Sequence, residues 1–269
     1  MIPPYLSHSR ESTFGLCGQQ YLYRYEEKLT RPQAIGQVRG KGPHKSVEAD
    51  LKAKLEEGHL LEREHVGQVA TDYVDLQFKG ELLLDGDFAE MPVKEAKQIV
   101  REDVRELAWL HHDQLAPSIE PTALEVRVEA EFPDLPVPYV GVIDVIDGGV
   151  VVRDTKTKRK APEKAIADTS EQLTTYWGLY CAEKKRAPER LVFDVLWRTP
   201  SGKIDQRSVY TTRDEAAWQV KLARSRAILR ALEAEIYLPA PVDHWICSPR
   251  WCEYTDVCPY YRGRPRPAS

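Results

Sequence analysis

Residues 141–158 read GVIDVIDGGVVVRDTKTK. Two β-rich runs flank Asp147-Gly148-Gly149, whose glycines supply the positive φ angles of a tight hairpin. A hairpin brings strand ends together, so Asp144 on one run and Asp154 on the other can converge. Two carboxylates that meet in a low-dielectric site repel and cannot both stay ionised. A hard divalent cation removes that conflict: magnesium or manganese takes oxygen from carboxylates, a backbone carbonyl and water. The carbonyl of Thr155, between Asp154 and Lys156, is available. Lys156 falls two residues beyond Asp154, on the same strand face. An ammonium group there can stabilise charge on a phosphoryl oxygen or help deprotonate an attacking water.

The hairpin sits in an alternating pattern of elements. Ser7 or Ser9 caps a first helix running to about Tyr25. Residues 31–43 hold glycines and two prolines and read as a loop. His44 opens a helix with Val47, Leu51 and Leu55 at helical spacing, closed by Gly58. Residues 62–79 are weakly helical, and Pro92–Leu115 is a long helix. Strands are expected at Ala123–Phe132, Tyr139–Ile146 and Gly149–Thr155, and a helix from Ser170 to about Arg186 follows. Strands at Arg190–Arg198 and Lys203–Thr211 come next. A Thr212/Glu215 capping box then opens a helix with Trp218, Leu222, Leu229, Leu232 and Ile236 on one face. The expectation is an α/β (α+β) fold with a central mixed sheet of about five strands flanked by helices. The 269 residues read as one domain: a mainly helical part over 1–120, the sheet and its helices over 121–237, and a Cys-rich tail over 238–269.

The composition, 42% apolar and 30% charged, is that of a soluble globular chain and excludes wholesale disorder. No apolar run approaches the length of a membrane helix, and MIPPYLSHSR lacks a signal-peptide pattern. A cytoplasmic protein without a membrane partner is expected. The net charge of −4 decides nothing about nucleic acid, because acids at a metal site offset basic groups elsewhere. Local basic runs matter more: Lys156, Lys158, Arg159 and Lys160, then Arg262, Arg264 and Arg266.

Five cysteines in a chain without a secretion signal argue against a disulfide framework. Cys181 falls on an apolar helix face and reads as a core thiol. Cys247-x4-Cys252-x5-Cys258 supplies three thiolates for a four-iron cluster or a tetrahedral zinc. Cys17 is the natural fourth, provided the two ends of the chain meet. Spacing wider than a Cys-x2-Cys knuckle favours iron, with structural zinc as the alternative.

Gly141-Val142-Ile143-Asp144 followed by Asp154-Thr155-Lys156-Thr157 resembles the PD-(D/E)XK nuclease motif, in the form found in RecB-like exonuclease domains. Gln172 and Tyr176 resemble the Gln-x-x-x-Tyr element that follows the lysine in that family; their i, i+4 spacing puts both on one helix face. Gly40-x-x-x-His44 resembles its Gly-x-x-x-His element. Of Glu125, Glu129 and Glu131 on the preceding strand, the resemblance favours Glu125. One cysteine far upstream and three near the C-terminus are similar to the CRISPR-associated (Cas-four-type) exonuclease and the AddB-type nuclease domain, where four cysteines bind a 4Fe-4S cluster. Cys17-x-x-x-Tyr21 fits their N-terminal element, with Gly18 in place of a common proline.

The resemblance implies a restriction-endonuclease-like core and a Mg2+- or Mn2+-dependent DNA exonuclease acting on single-stranded or end-bearing DNA. It implies that His44, Asp144, Asp154 and the Thr155 carbonyl hold the metal beside Lys156. Gln172, Tyr176 and Glu125 would complete the site, and Lys158, Arg159 and Lys160 would touch flanking phosphates. A different class stays open: an iron–sulfur DNA-binding or adaptor subunit of a recombination or CRISPR-adaptation complex, partnered by an integrase, helicase or recombinase. Whether the chain forms a homo-oligomer is left open too.

Overall fold

The computed structural model describes residues 2–133 and 135–261; Arg262, Arg264 and Arg266 lie outside the described residues. Ser7 opens α1 (His8–Leu16), its side chain accepting from the Arg10 amide. The helix does not continue to Tyr25. Cys17 is extended and breaks it, and the chain resumes as α2 (Gly18–Tyr21) and a π-helical turn over Leu22–Glu26. Gly18 supplies the reason. Its amide donates to Leu238 O at 2.7 Å, and a Cβ at Gly18 would stand 2.6 Å from the Leu238 nitrogen. Backbone from the far end of the sequence fills the space a side chain would need.

The expected loop at 31–43 is instead largely helix. α3 runs Ile35–Glu57 with Pro43 inside it, so the helix begins nine residues before His44. Close packing outweighs the local propensities of Gly36, Gly40, Gly42 and Pro43. A Cβ on Gly42 would lie 2.7 Å from Val104, so glycine lets α3 settle against α5 (Val93–Gln114). Gly36 donates its amide to Asp85 Oδ1 at 2.9 Å. α4 (Arg63–Gln77) completes this helical layer, and Ile35, Val38, Val66, Ala70, Val100 and Val104 are buried between its members. A short parallel pair, β1 (Gln33–Ala34) and β2 (Leu82–Leu83), lies beside it.

The central sheet has five strands in the order β3 (Pro121–Ala130), β4 (Tyr139–Asp147), β5 (Val151–Lys158), β6 (Arg190–Arg198) and β7 (Ile204–Thr211). Of the four strand pairings within this sheet, β5 with β6 is parallel and the other three are antiparallel. The connection between β5 and β6 therefore needs a crossover, and α6 (Glu171–Lys184) provides it. The fold is α+β with a mixed sheet flanked by helices, as the sequence implies. Gly148 (φ +55°) and Gly149 (φ +73°) make the expected hairpin turn. β5 runs to Lys158, three residues past the expected end.

The two faces of the sheet bury separate cores. Val47, Leu51, Leu107, Val145 and Leu196 join α3 and α5 to the sheet. Ile143, Val152, Leu173, Phe193, Trp218 and Leu222 join it to α6 and α7 (Glu215–Glu233). Asp103 on α5 takes Arg39 of α3 and, at 3.2 Å, Arg198 of β6, which fixes α3 over the sheet. Asp214, not the Thr212/Glu215 box, caps α7; its side chain accepts from Ala217 N. That helix ends before Ile236, which is exposed. Among the described residues no helix is long and apolar enough to cross a membrane.

Candidate active site

The β4–β5 ladder pairs Asp147 with Val151, Ile146 with Val152 and Val145 with Arg153, and then stops. One further step in that register would join Asp144 to Asp154. The strands fork at this point, and the two acids face the gap. On the other side of β4, Leu124 pairs with Val145 and Val126 with Ile143, and Glu125 falls between them. Glu125 takes φ +48°, an uncommon left-handed backbone for a non-glycine residue in a strand and a mark of local strain. Glu125, Asp144 and Asp154 thus stand at one level on three successive strands.

Asp154 is 1% exposed. Burial, and secondarily the charge of Asp144, pushes its carboxyl up to about 6, against the opposing pull of Lys156 and His44. Lys156 Nζ lies 2.7 Å from Asp154 Oδ2. His44, carried over the fork by α3, places Nδ1 3.5 Å from Asp144 Oδ2. From the opposite side Gln172 of α6 donates to Asp154 Oδ1 at 2.8 Å and to the Tyr176 hydroxyl at 2.9 Å. That hydroxyl reaches Asp154 Oδ1 at 3.1 Å and Asp144 Oδ1 at 3.4 Å. Burial, then the two carboxylates, holds the phenol well above its ordinary pKa, so it stays a donor. The pair braces the acids.

Thr155 pairs with Asp194 of β6, so its side chain points to the sheet face opposite Asp154 and Lys156. Burial, then Asp144 and Glu48, raises the Glu125 carboxyl above its usual range. Lys158 is half-buried at the end of β5, while Arg159 and Lys160 are exposed. Arg159 is engaged by Asp87 at 3.0 Å.

Two neighbours of the site escape the sequence reading. Glu48 lies one turn after His44 on α3, and its charge acts on Glu125. The i, i+4 spacing to His44 is a signal that could have found it. His8 opens α1, and burial, then Lys221 and Lys156, lowers its imidazole to about 4. Nothing local in the sequence links His8 to Lys156.

The donor set of two or three carboxylates and one imidazole matches a hard divalent cation. Asp154 Oδ2 supports that fit: it is buried and accepts no well-aligned hydrogen bond despite the nearby ammonium. Among the described residues no group of three or more His, Cys, Asp or Glu side chains stands ready to hold a metal as it is; the acids are engaged by Tyr176, Gln172, Lys156 and His44.

A second cluster lies at the meeting of the chain ends. Cys17, Cys247, Cys252 and Cys258 line one pocket, and the Ala240 amide donates to Cys17 Sγ at 3.3 Å. Burial raises the Cys252 thiol to about 11 and the Cys247 thiol above its usual value, with Cys17 and Cys258 adding to both. Cys181 sits apart, packed against the α6 side of the core.

The forked hairpin brings an acid, an acid-x-lysine triplet and a bracing Gln-x-x-x-Tyr pair to one place. The family model of the PD-(D/E)XK nuclease superfamily matches residues 5–259, and the chain belongs to that superfamily. No curated protein matches the sequence. Among solved structures, a candidate exonuclease from Eubacterium rectale superposes at TM-score 0.50 with 15% identity, over 99% of this chain and 91% of that one. The protein SSO0001 superposes at TM-score 0.36 with 17% identity, over 88% of this chain and 92% of that one. At 15% identity the likeness to the Eubacterium rectale protein is one of fold alone.

Proposed function

We propose that the whole chain is one nuclease domain of the RecB-like type: a Mg2+- or Mn2+-dependent DNA exonuclease acting on single-stranded or end-bearing DNA. The observation that carries the reading is the fork itself, where Asp144 and Asp154 share one hydroxyl partner and Lys156 stands beside them. Asp144, Asp154, His44 and the Thr155 carbonyl are the residues that would hold the metal, with Glu125 adjoining. When bound, the ion supplies a more acidic water and polarises the scissile phosphate. Lys156 orients the attacking water and offsets charge building on the phosphoryl oxygens. Gln172 and Tyr176 keep the Asp154 carboxylate aimed into the fork. Lys158, Arg159 and Lys160 extend the basic edge toward flanking phosphates.

The test is degradation of end-labelled DNA with magnesium or manganese. Asp154→Ala should remove detectable cleavage, and Lys156→Ala should cost about 10²–10³ in kcat. Wild-type rates in the Asp154→Ala variant would sink the proposal.

The four cysteines around one pocket support a 4Fe-4S cluster there. Zinc is the second reading, favoured by the small central space of about 20 Å³, enough for one water-sized body. Anaerobic purification separates them: a brown protein carrying iron and labile sulfide against a colourless one carrying zinc.

A further inference from the structure

Trp245 and Trp251 flank Cys247 in the C-terminal segment and are 57% and 46% exposed. Two large indoles left side by side in water are unusual unless something covers them. They are held in place. Their rings meet edge to face at 5.9 Å. The Trp251 ring lies against Gly86, 3.4 Å from where a Cβ would be, and the Gly86 amide donates to Arg250 O at 3.4 Å. The Arg250 guanidinium lies 5.5 Å from the Trp251 ring centre and bonds Asp87 Oδ1 at 2.7 Å. The other oxygen of Asp87 holds Arg159 at 3.0 Å. Arg159 directly follows β5, only three residues beyond Lys156, which is about 10 Å of extended chain. The tryptophans are therefore fixed at the end of a basic path that starts on the metal-site strand. Both arginines stay about half exposed, at 53% and 41%.

We infer that Trp245, Trp251 and Arg250 form a stacking platform for the bases of single-stranded DNA leading to or from the fork. The inference rests on the nuclease reading and deepens it. Indole faces beside guanidinium groups suit bases and phosphates together, the combination used to hold single strands without regard to sequence. A paired duplex hides its base faces and gains little from such a surface. The platform thus selects frayed or unpaired ends.

The experiment uses the full-length chain with neither chelator nor added magnesium or manganese, at one fixed salt concentration. Binding of a fluorescein-labelled oligothymidylate of about twenty nucleotides is followed by anisotropy, and Trp245→Ala and Trp251→Ala should each weaken it about 5- to 100-fold. Trp251→Phe should recover most of the loss, because it keeps an aromatic face. An abasic strand of the same length should bind wild type and variants alike. Wild-type affinity for the oligothymidylate in both alanine variants would overturn the platform, as would an equal loss on the abasic strand. Absence of oligothymidylate binding by the wild-type chain would overturn it too. A parallel cleavage assay separates the two readings. If wild type degrades DNA and the alanine variants bind normally, the platform fails alone. If wild type degrades nothing while those variants lose the oligothymidylate, the nuclease reading fails alone. A protein that docks on the patch while oligothymidylate binding is indifferent to both tryptophans would reassign the surface.

Discussion

Tyr176 holds one hydroxyl against two acids, at 3.1 Å from Asp154 and 3.4 Å from Asp144. Hydrogen bonds to charged groups contribute about 1.5–3 kcal/mol. If that support is needed as the phosphate reacts, Tyr176→Phe lowers kcat about 10- to 100-fold. Thermal melting should show the fold retained, because Gln172 still bonds Asp154. A pH effect belongs to His111. It is buried on α5 with Nε2 unpartnered. Burial, then Arg153, His44 and His112, lowers its imidazole to about 3. The unfolded chain binds that proton at an ordinary histidine pKa, about 6.5. Between these values the unfolded state holds more protons, so His111 stabilises the fold fully above about pH 6.5 and loses that contribution as pH falls toward 3. The melting temperature should fall on acidification over that window, and His111→Gln should flatten the slope. At this scale the meeting of Asp144 and Asp154 was legible, because a two-glycine turn fixes it locally. The Gln172–Tyr176 pairing was legible from helical spacing. His8 was not, because only tertiary folding carries α1 toward Lys156.

Elements show where local rules give way. Gly40, Gly42 and Pro43 weaken a helix by propensity, by roughly 1 kcal/mol for glycine and 3 for proline. Yet α3 passes through them, since a side chain at Gly42 would collide with Val104. Gly42, which reads as part of a loop, sets the α3–α5 distance, and α3 carries His44 and Glu48 to the fork. Gly42→Ala should therefore destabilise by about 1–3 kcal/mol through overpacking, despite alanine's better helix propensity. A fall in melting temperature of about 2–4 °C per kcal/mol is the readout for a chain of this size. The five strands, the hairpin and the helix that follows β5 could be read from alternation and turn residues. The early end of the β4–β5 ladder could not, because it depends on α3 and α6 entering from either side.

For the molecule as a whole, the sequence left the meeting of the ends as a condition, and the structure supplies it: Cys17 lies against Ala240, 223 residues away. Gly18, Leu238 and the four-thiol pocket close the contact. A metal bound there would tie the N-terminal helices to the tail, and its free energy would count toward folding. Chelator treatment, or Cys17→Ser, should lower the melting temperature and increase proteolysis around residues 17–26 and 238–258. Gly18→Ala should do the same by backbone collision, without removing a ligand.

A polypeptide leaves the ribosome N-terminus first, so Cys17 emerges long before the residues it must meet. At about 5–20 residues per second, the wait over those 223 residues is on the order of 10–45 s. During that interval the nascent chain presents Cys17 without its C-terminal neighbours and an unclosed first helix. Closure of the two ends is consequently completed only once the tail has been made, and ribosome-stalled chains ending near residue 240 should be digested by protease where the released protein resists.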